Sequence, residues 1–220
     1  AGGLGREGPL SAWCLFHGGL GAAIGVAAAG FDITHLGDSD KAAQELAGRV
    51  FPGSVQLGNV LEGRWSGLQG AEYLQAGAPC QGVAPSGLLL GLDDARMRLY
   101  ILVARWFCRL GFMIGDFEMV INILEYDEGA IQEEFLKIFW AFGLDASCVV
   151  TNAYDHGLAQ VRWRLHTTVT NPCYGDHADL LAVRCRRDAR DPVCLNDIME
   201  EDRLVPPELF IEEKTIIFYR

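Results

Sequence analysis

Short apolar runs alternate with stretches of helical periodicity through the first 150 residues, and this alternation limits the folds open to the chain more than any other feature. Residues 12–16 read as a buried strand, His17-Gly18-Gly19-Leu20-Gly21 as a glycine turn, and residues 20–29 as a helix. Residues 31–36 read as a second strand. The helix that follows runs to Val50, is capped by Asp38 or Asp40, and is stopped by Phe51-Pro52-Gly53. Residues 55–60 form a short extended segment, and residues 72–76 form a strand that leads into the turn at 77–82. Asp94 is placed to cap a long helix to Leu110, residues 112–120 read as a strand, residues 131–142 as an amphipathic helix, and residues 147–152 and 165–170 as strands. Strands alternating with helices predict an α/β fold: a mostly parallel sheet with helices on both faces.

From Asn171 onward the pattern is lost. Charge rises and Pro172, Pro192, Pro206 and Pro207 interrupt the chain, which places a boundary near residue 171, with short strands at 180–184 and 215–219. Residues 1–10 are glycine-rich and polar and are expected to be disordered. A hydrophobic share of 50% is enough for a core and excludes a disordered tail. Against 29 Asp and Glu there are 18 Lys and Arg, a net charge of −11, which argues against a protein that coats nucleic acid by bulk charge but allows a local basic groove. Arg184, Arg186, Arg187 and Arg190 form the most basic cluster, either a phosphate contact or a solvated strand face. The seven cysteines are scattered rather than set at short regular spacings, which fits a reducing compartment. Cys173, His177, Cys185 and Cys194 match no standard zinc spacing, so no metal is assigned. No apolar run reaches 18 residues, so no membrane span is expected, and the glycines among residues 11–29 dilute what would otherwise look like a secretory signal.

Two places carry chemistry. The glycine turn between a strand and a helix, with Asp38 at the end of the second strand, suits a nucleotide-type ligand. Glycine allows close approach, the helix N-terminus favours polar groups, and an acid at that place holds a ribose hydroxyl pair. A tight turn with a capping Asp accounts for the same residues. Cys80 sits just after a strand between Pro79 and Gln81, with Gly77 and Gly82 on either side, where a thiol reaches a sheet edge. A buried, inert cysteine is the plainer reading of any one thiol.

The motif Gly77-Ala78-Pro79-Cys80-Gln81-Gly82, followed by Gly87, Gly91, Asp94, Arg96 and Leu99, resembles the catalytic loop of C5-cytosine DNA methyltransferases. Three more matches follow the order of that family: Phe16-His17-Gly18-Gly19-Leu20-Gly21 with Gly30-Phe31, Phe117-Glu118-Met119-Val120, and Asn152-Ala153-Tyr154-Asp155-His156-Gly157-Leu158-Ala159-Gln160-Val161-Arg162-Trp163-Arg164. The resemblance implies a Rossmann-like S-adenosylmethionine-dependent methyltransferase fold over residues 11–170, with residues 171–220 as the start of a truncated target-recognition region. It implies Cys80, Gln81, Glu118, Arg162 and Arg164 as catalytic residues, with Arg162 and Arg164 alternating on one strand. It implies S-adenosyl-L-methionine as cofactor, held by Phe16, Gly18, Gly19, Leu20, Gly21, Asp38, Ser39, Asn59, Val60, Pro79 and Leu99. The partner implied is DNA with a cytosine flipped out of the stack, in an intracellular setting: the nucleus in a eukaryote, the cytoplasm in a bacterium. The chain departs from the family pattern at Leu20 (glycine), Val83-Ala84 (Phe-Ser), Met119 (Asn), Asn59 (an acid), Ser39 (an aromatic) and Ala159 (Pro). A catalytically impaired paralogue acting as a cofactor-binding or regulatory module is the alternative, and a transfer-RNA-directed relative is a third reading.

Overall fold

The computed structural model describes residues 8–62, 67–83, 90–158 and 160–174. The expected strands at 180–184 and 215–219 and the basic cluster lie outside these. Two compact units are present: residues up to 151 with those from 163 form the larger, and residues 152–162 belong to the smaller. The larger unit holds strands β1 (Ser11–Leu15), β2 (Asp32–Gly37), β3 (Val55–Gln56), β4 (Tyr73–Ala76), β5 (Ile114–Met119), β6 (Asp145–Asn152, whose last residue starts the smaller unit) and β7 (Trp163–Thr170), with helices α1 (Gly21–Ala28), α2 (Lys41–Val50), α3 (Ala95–Leu110) and α4 (Ala130–Ala141).

The strands form one sheet in the order β3-β2-β1-β4-β5-β7-β6. β1 pairs parallel with β2 and β4, β2 with β3, and β4 with β5, while β7 runs antiparallel to β5. The chain moves outward from β1 to β3 and then returns to β4 on the other side of β1. The strand order therefore reverses between β1 and β4, and in open α/β sheets ligands settle at such a point, beyond the carboxyl ends of the strands. Residues 16–21 follow β1 there and residues 77–83 follow β4.

Each face of the sheet is covered by a different helix pair. In β1, Trp13 and Leu15 join the main core with Tyr100 and Phe107 of α3 and Phe135 and Phe139 of α4. Ala12 and Cys14 point the other way, into a smaller cluster with Leu20, Ala23 of α1 and Ala47 of α2. The main core is aromatic. Phe135 meets Phe117 edge-on at 5.2 Å and Phe139 at 5.1 Å, and stacks on Tyr100 at 3.7 Å. Each such pair adds about 1 kcal/mol beyond its buried area. The Tyr100 hydroxyl donates to Gln132 Oε1 at 2.8 Å, so its polar end is satisfied inside the core.

Two expectations are corrected. The extended segment at 55–60 pairs only at Val55–Gln56 and then turns through Gly58 (φ 64). β7 starts at Trp163, so of the two arginines expected to alternate on one strand only Arg164 lies on it.

Candidate active site at the strand ends

The glycine turn owes its shape to three left-handed residues, Phe16 (φ 57), Gly18 (φ 48) and Leu20 (φ 67). Leu20 is the N-cap of α1 and offers no side-chain cap, so the first amides of that helix stay turned toward the turn. Its side chain is fully buried with Cys14, Ala23, Ile33 and Leu36, pointing under α1 and away from the mouth. A left-handed leucine costs about 1 kcal/mol or more, an amount its burial offsets. Gly18, Gly19 and Gly21 are exposed, and a Cβ at any of them would meet nothing within 4 Å, so the space above the turn is open.

Asp40, not Asp38, caps α2, accepting from the Ala43 amide at 2.8 Å. Asp38 instead accepts from the Gly18 amide through Oδ2 at 2.8 Å and from the Asp40 amide through Oδ1 at 2.9 Å. Each oxygen keeps a second lone pair for a further donor. Ser39 is exposed beside it. Asn59 accepts from the Leu61 amide at 3.0 Å and donates to Glu62 at 2.9 Å, while Val60 is buried beneath in the core.

Pro79 and Cys80 are half-buried, Gln81 is exposed and Gly82 is buried. Gly82 is there by necessity. A Cβ on it would overlap Met97 Cγ and come within 2.9 Å of the Gly91 carbonyl, and its own carbonyl accepts from the Gly91 amide at 2.9 Å. The loop is thus pressed onto the start of α3, where Asp94 caps the helix and binds Arg96. Leu99 is buried one turn further on.

β5 presents Phe117 and Met119 to the core and Asp116 and Glu118 to the other face. Arg164 Nε lies 2.8 Å from Glu118 Oε1. The other oxygen of Glu118 faces the backbone of Gly77, where a Cβ would stand 3.3 Å from it. The structure therefore brings Glu118 and Arg164 together at the root of the Cys80 loop. Arg162 belongs to the smaller unit, where Asn152 Oδ1 accepts from the Arg162 amide at 2.9 Å and the Ala153 amide donates to the Arg162 carbonyl at 3.1 Å. Those bonds tie the two ends of the 152–162 loop. Ala159, Ala84, Gly87, His177, Cys185 and Cys194 lie outside the described residues. Among the described residues no group of three potential ligands could hold a metal ion, and no helix is long and apolar enough to cross a membrane.

Two features were not anticipated from the sequence. His17 is buried in the glycine turn; its Nδ1 lies 3.2 Å from the Gly18 carbonyl and its Nε2 has no partner. His166, directly opposite Glu118 on β7, pairs with Asp116. Strand periodicity signals the second, since Arg164 and His166 alternate like Asp116 and Glu118. Nothing in the sequence separates His17 from an ordinary turn residue.

The C-5 cytosine-specific DNA methylase family model matches residues 12–176. The type II methyltransferase M.NgoPII of Neisseria gonorrhoeae is 27% identical over 163 residues, which cover 71% of this chain and 47% of that protein. M.HhaI of Haemophilus parahaemolyticus is 27% identical over 152 residues, covering 69% and 46%. Among solved structures, a prophage-encoded E. coli protein described as a DNA modification methyltransferase superposes with a TM-score of 0.70 at 23% identity, over 86% of this chain and 53% of that one. Spodoptera frugiperda DNMT2 superposes with 0.63 at 17%, over 88% and 60%. At those identities the two structures bear on the fold alone. The chain spans about half the length of the curated relatives it matches.

Proposed function

Because the chain belongs to the C-5 cytosine-specific DNA methylase family, we propose that it methylates C5 of a cytosine flipped out of DNA, with S-adenosyl-L-methionine as donor and a covalent bond between the Cys80 sulfur and C6. The observation that carries this is the meeting of Glu118, Arg164 and the Gly77 end of the Cys80 loop at the carboxyl ends of β4 and β5.

The residues suit the cofactor. The turn from Phe16 to Gly21 is open above its glycines, the first amides of α1 have no side-chain cap, and Asp38 keeps lone pairs for a ribose hydroxyl pair. Ser39 and Val60 would border the ring system, the Asn59 amide would meet the adenine edge, and Pro79 and Leu99 would close the pocket. When bound, S-adenosylmethionine supplies an electrophilic methyl group.

C5 of cytosine is a weak nucleophile, and covalent catalysis answers that. The Cys80 thiolate adds to C6, which gives C5 enamine character. Glu118 binds ring N3 and the exocyclic amine and favours a protonated ring that accepts the electrons. Arg164 holds Glu118, Gln81 stands next to the nucleophile, and Arg162 meets the base carbonyl or a neighbouring phosphate. Once C5 is methylated, a base removes its proton, the ring double bond reforms, and Cys80 leaves as thiolate. Trapping on DNA containing 5-fluorocytosine tests this, because fluorine in place of the C5 proton blocks release. The expected result is a denaturation-resistant protein–DNA adduct that needs S-adenosylmethionine and disappears in Cys80→Ser. Adduct formation by Cys80→Ser would overturn the assignment.

A further inference from the structure

The thiol of Cys80 is carried by a four-residue turn, Cys80-Gln81-Gly82-Val83, closed by the Val83 amide donating to the Cys80 carbonyl at 3.0 Å. Gln81 is exposed at its tip, and Val83 is fully buried in the main core with Met97 of α3 and Ile123. Bonds from outside hold the turn on two sides. The Gly82 carbonyl accepts from the Gly91 amide at 2.9 Å, and the Val83 carbonyl accepts from Asn122 Nδ2 at 2.6 Å. A carbonyl oxygen only accepts, so the nitrogen end of the Asn122 amide faces it. Asn122 is four residues past Glu118, in a 3-10 turn (Ile121–Leu124) that follows the end of β5. Ile123 of that turn is fully buried, which fixes the turn to the core. Tyr126 comes next and packs against Gly91, where a Cβ would stand 2.7 Å from the phenol oxygen. Asp127, Glu128 and Gly129 beyond it are all left-handed, a run that persists only where the surroundings fix the chain. The strand that carries Glu118 therefore continues into a brace across the base of the Cys80 turn.

We propose that Asn122 is a positioning residue for the nucleophile: by holding the Val83 carbonyl it ties the Cys80 turn to the end of β5, so that the thiol and the Glu118 carboxyl meet C6 and N3 of one ring in a fixed relation. The two groups stand on different strands, and an error of about 1 Å between them costs about a hundredfold in rate, which gives the link its value. The inference rests on the reading of Cys80 as nucleophile and Glu118 as the residue that binds the target ring. Asn122 acts through the Val83 carbonyl and not through a contact with the base.

The test is the rate of adduct formation on 5-fluorocytosine DNA with saturating S-adenosylmethionine, measured over a range of DNA concentrations so that maximal rate and half-saturation are read separately. Asn122→Asp keeps the shape of the side chain and sets an acceptor where the donor was; Asn122→Ala removes both. In each the maximal rate is expected to fall by about tenfold to a hundredfold, with half-saturation by DNA and the calorimetric affinity for S-adenosylmethionine within about threefold of wild type. Asn122→Gln carries the same donor on a longer stem and is expected to recover part of the rate. Hydrogen exchange reads the turn without the chemistry: the Val83 amide exchanges faster in Asn122→Asp, while the amides of β1 and β5 exchange as in the wild type. Should Asn122→Asp and Asn122→Ala fail to fold, exchange in the wild-type chain decides, since a Val83 amide that exchanges as fast as in an unfolded peptide overturns the inference. A wild-type maximal rate in Asn122→Asp, or a loss confined to affinity for DNA or cofactor, overturns the inference while leaving the proposed reaction intact. No adduct from the wild-type chain overturns the proposed reaction, and the inference with it.

Discussion

The Gly18 amide donates to Asp38 Oδ2 at 2.8 Å, tying the turn after β1 to the end of β2. One carboxylate therefore shapes the turn and also offers its remaining lone pairs to the open space above it. Asp38→Ala removes both roles. A charged acceptor for a hydroxyl pair contributes about 2 kcal/mol, so affinity for S-adenosylmethionine falls by about thirtyfold or more. Asp38→Asn keeps an acceptor for the Gly18 amide and loses less. Titration calorimetry on the three proteins checks the order, and equal affinities would remove Asp38 from the cofactor site.

Leu20 takes a left-handed conformation with its side chain fully buried. Leu20→Gly relieves the backbone but empties a packed position. Losing a buried leucine costs about 3 kcal/mol and the left-handed relief returns about 1 kcal/mol. The variant is expected to be less stable by about 2 kcal/mol in urea denaturation, with cofactor affinity unchanged. A large gain in affinity would show that the leucine obstructs the site.

Much of this was legible in sequence, for reasons visible at particular residues. Helix ends carried their own signals: Asp94 and Asp40 do cap α3 and α2, and Phe51-Pro52-Gly53 does end α2. The direction of β7 carried none, because local periodicity reports which face a residue takes and not which strand lies beside it. The left-handed Asp127 and Glu128, ahead of Gly129, were equally silent, since a glutamate adopts that conformation only where surrounding structure imposes it. At the site, motif order pointed to Cys80, Glu118 and Arg164. It did not point to the Asp116–His166 pair, which becomes a pair only once β5 and β7 are set in register.

Gly82→Ala separates positioning from binding. The added Cβ overlaps Met97 and crowds the Gly91 carbonyl at 2.9 Å, so the loop that carries Cys80 must shift. A nucleophile displaced by about 1 Å loses about a hundredfold in rate. Trapping on 5-fluorocytosine DNA is expected to slow by that order while S-adenosylmethionine binding measured by calorimetry stays within a few-fold. Unchanged trapping would mean the loop is not held by α3.

The cap of α3 sets a pH dependence. The Arg96 side chain and amide hold the Asp94 carboxyl down at about 2 through hydrogen bonds at 2.6 to 2.9 Å. A carboxyl depressed in the folded state adds stability that is complete above its unfolded value of about 3.9 and is lost as pH falls toward 2. Asp94→Asn keeps a capping acceptor and removes the charge. Urea midpoints of the two proteins are expected to differ by a constant amount from pH 7 to pH 5, to draw together below pH 4 and to meet only as pH falls below about 2. A gap undiminished at pH 2.5 would assign the difference to packing.

Reactivity toward an alkylating agent sorts the cysteines by environment. Cys14 lies in the middle of β1 with no exposed surface, and burial pushes its thiol up to about 12. At pH 8 its thiolate fraction is about one in ten thousand, before access is counted. Burial pushes Cys108 up to about 11 in the same way. Cys80 is half-buried on a surface loop and Cys173 is exposed. In the folded chain at pH 8, iodoacetamide is expected to modify Cys173 and Cys80 within minutes to hours and to spare Cys14 until urea is added; peptide mass spectrometry reads each site. Function then separates Cys80 from Cys173. With the adduct at Cys80 as proposed, 5-fluorocytosine trapping is expected to fall in proportion to the fraction of Cys80 alkylated. A Cys173→Ser chain shows the same loss. If alkylation of Cys80 is complete and trapping is undiminished, the nucleophile is elsewhere; if Cys14 reacts as fast as Cys173 in the native chain, β1 is not a buried interior strand of the sheet.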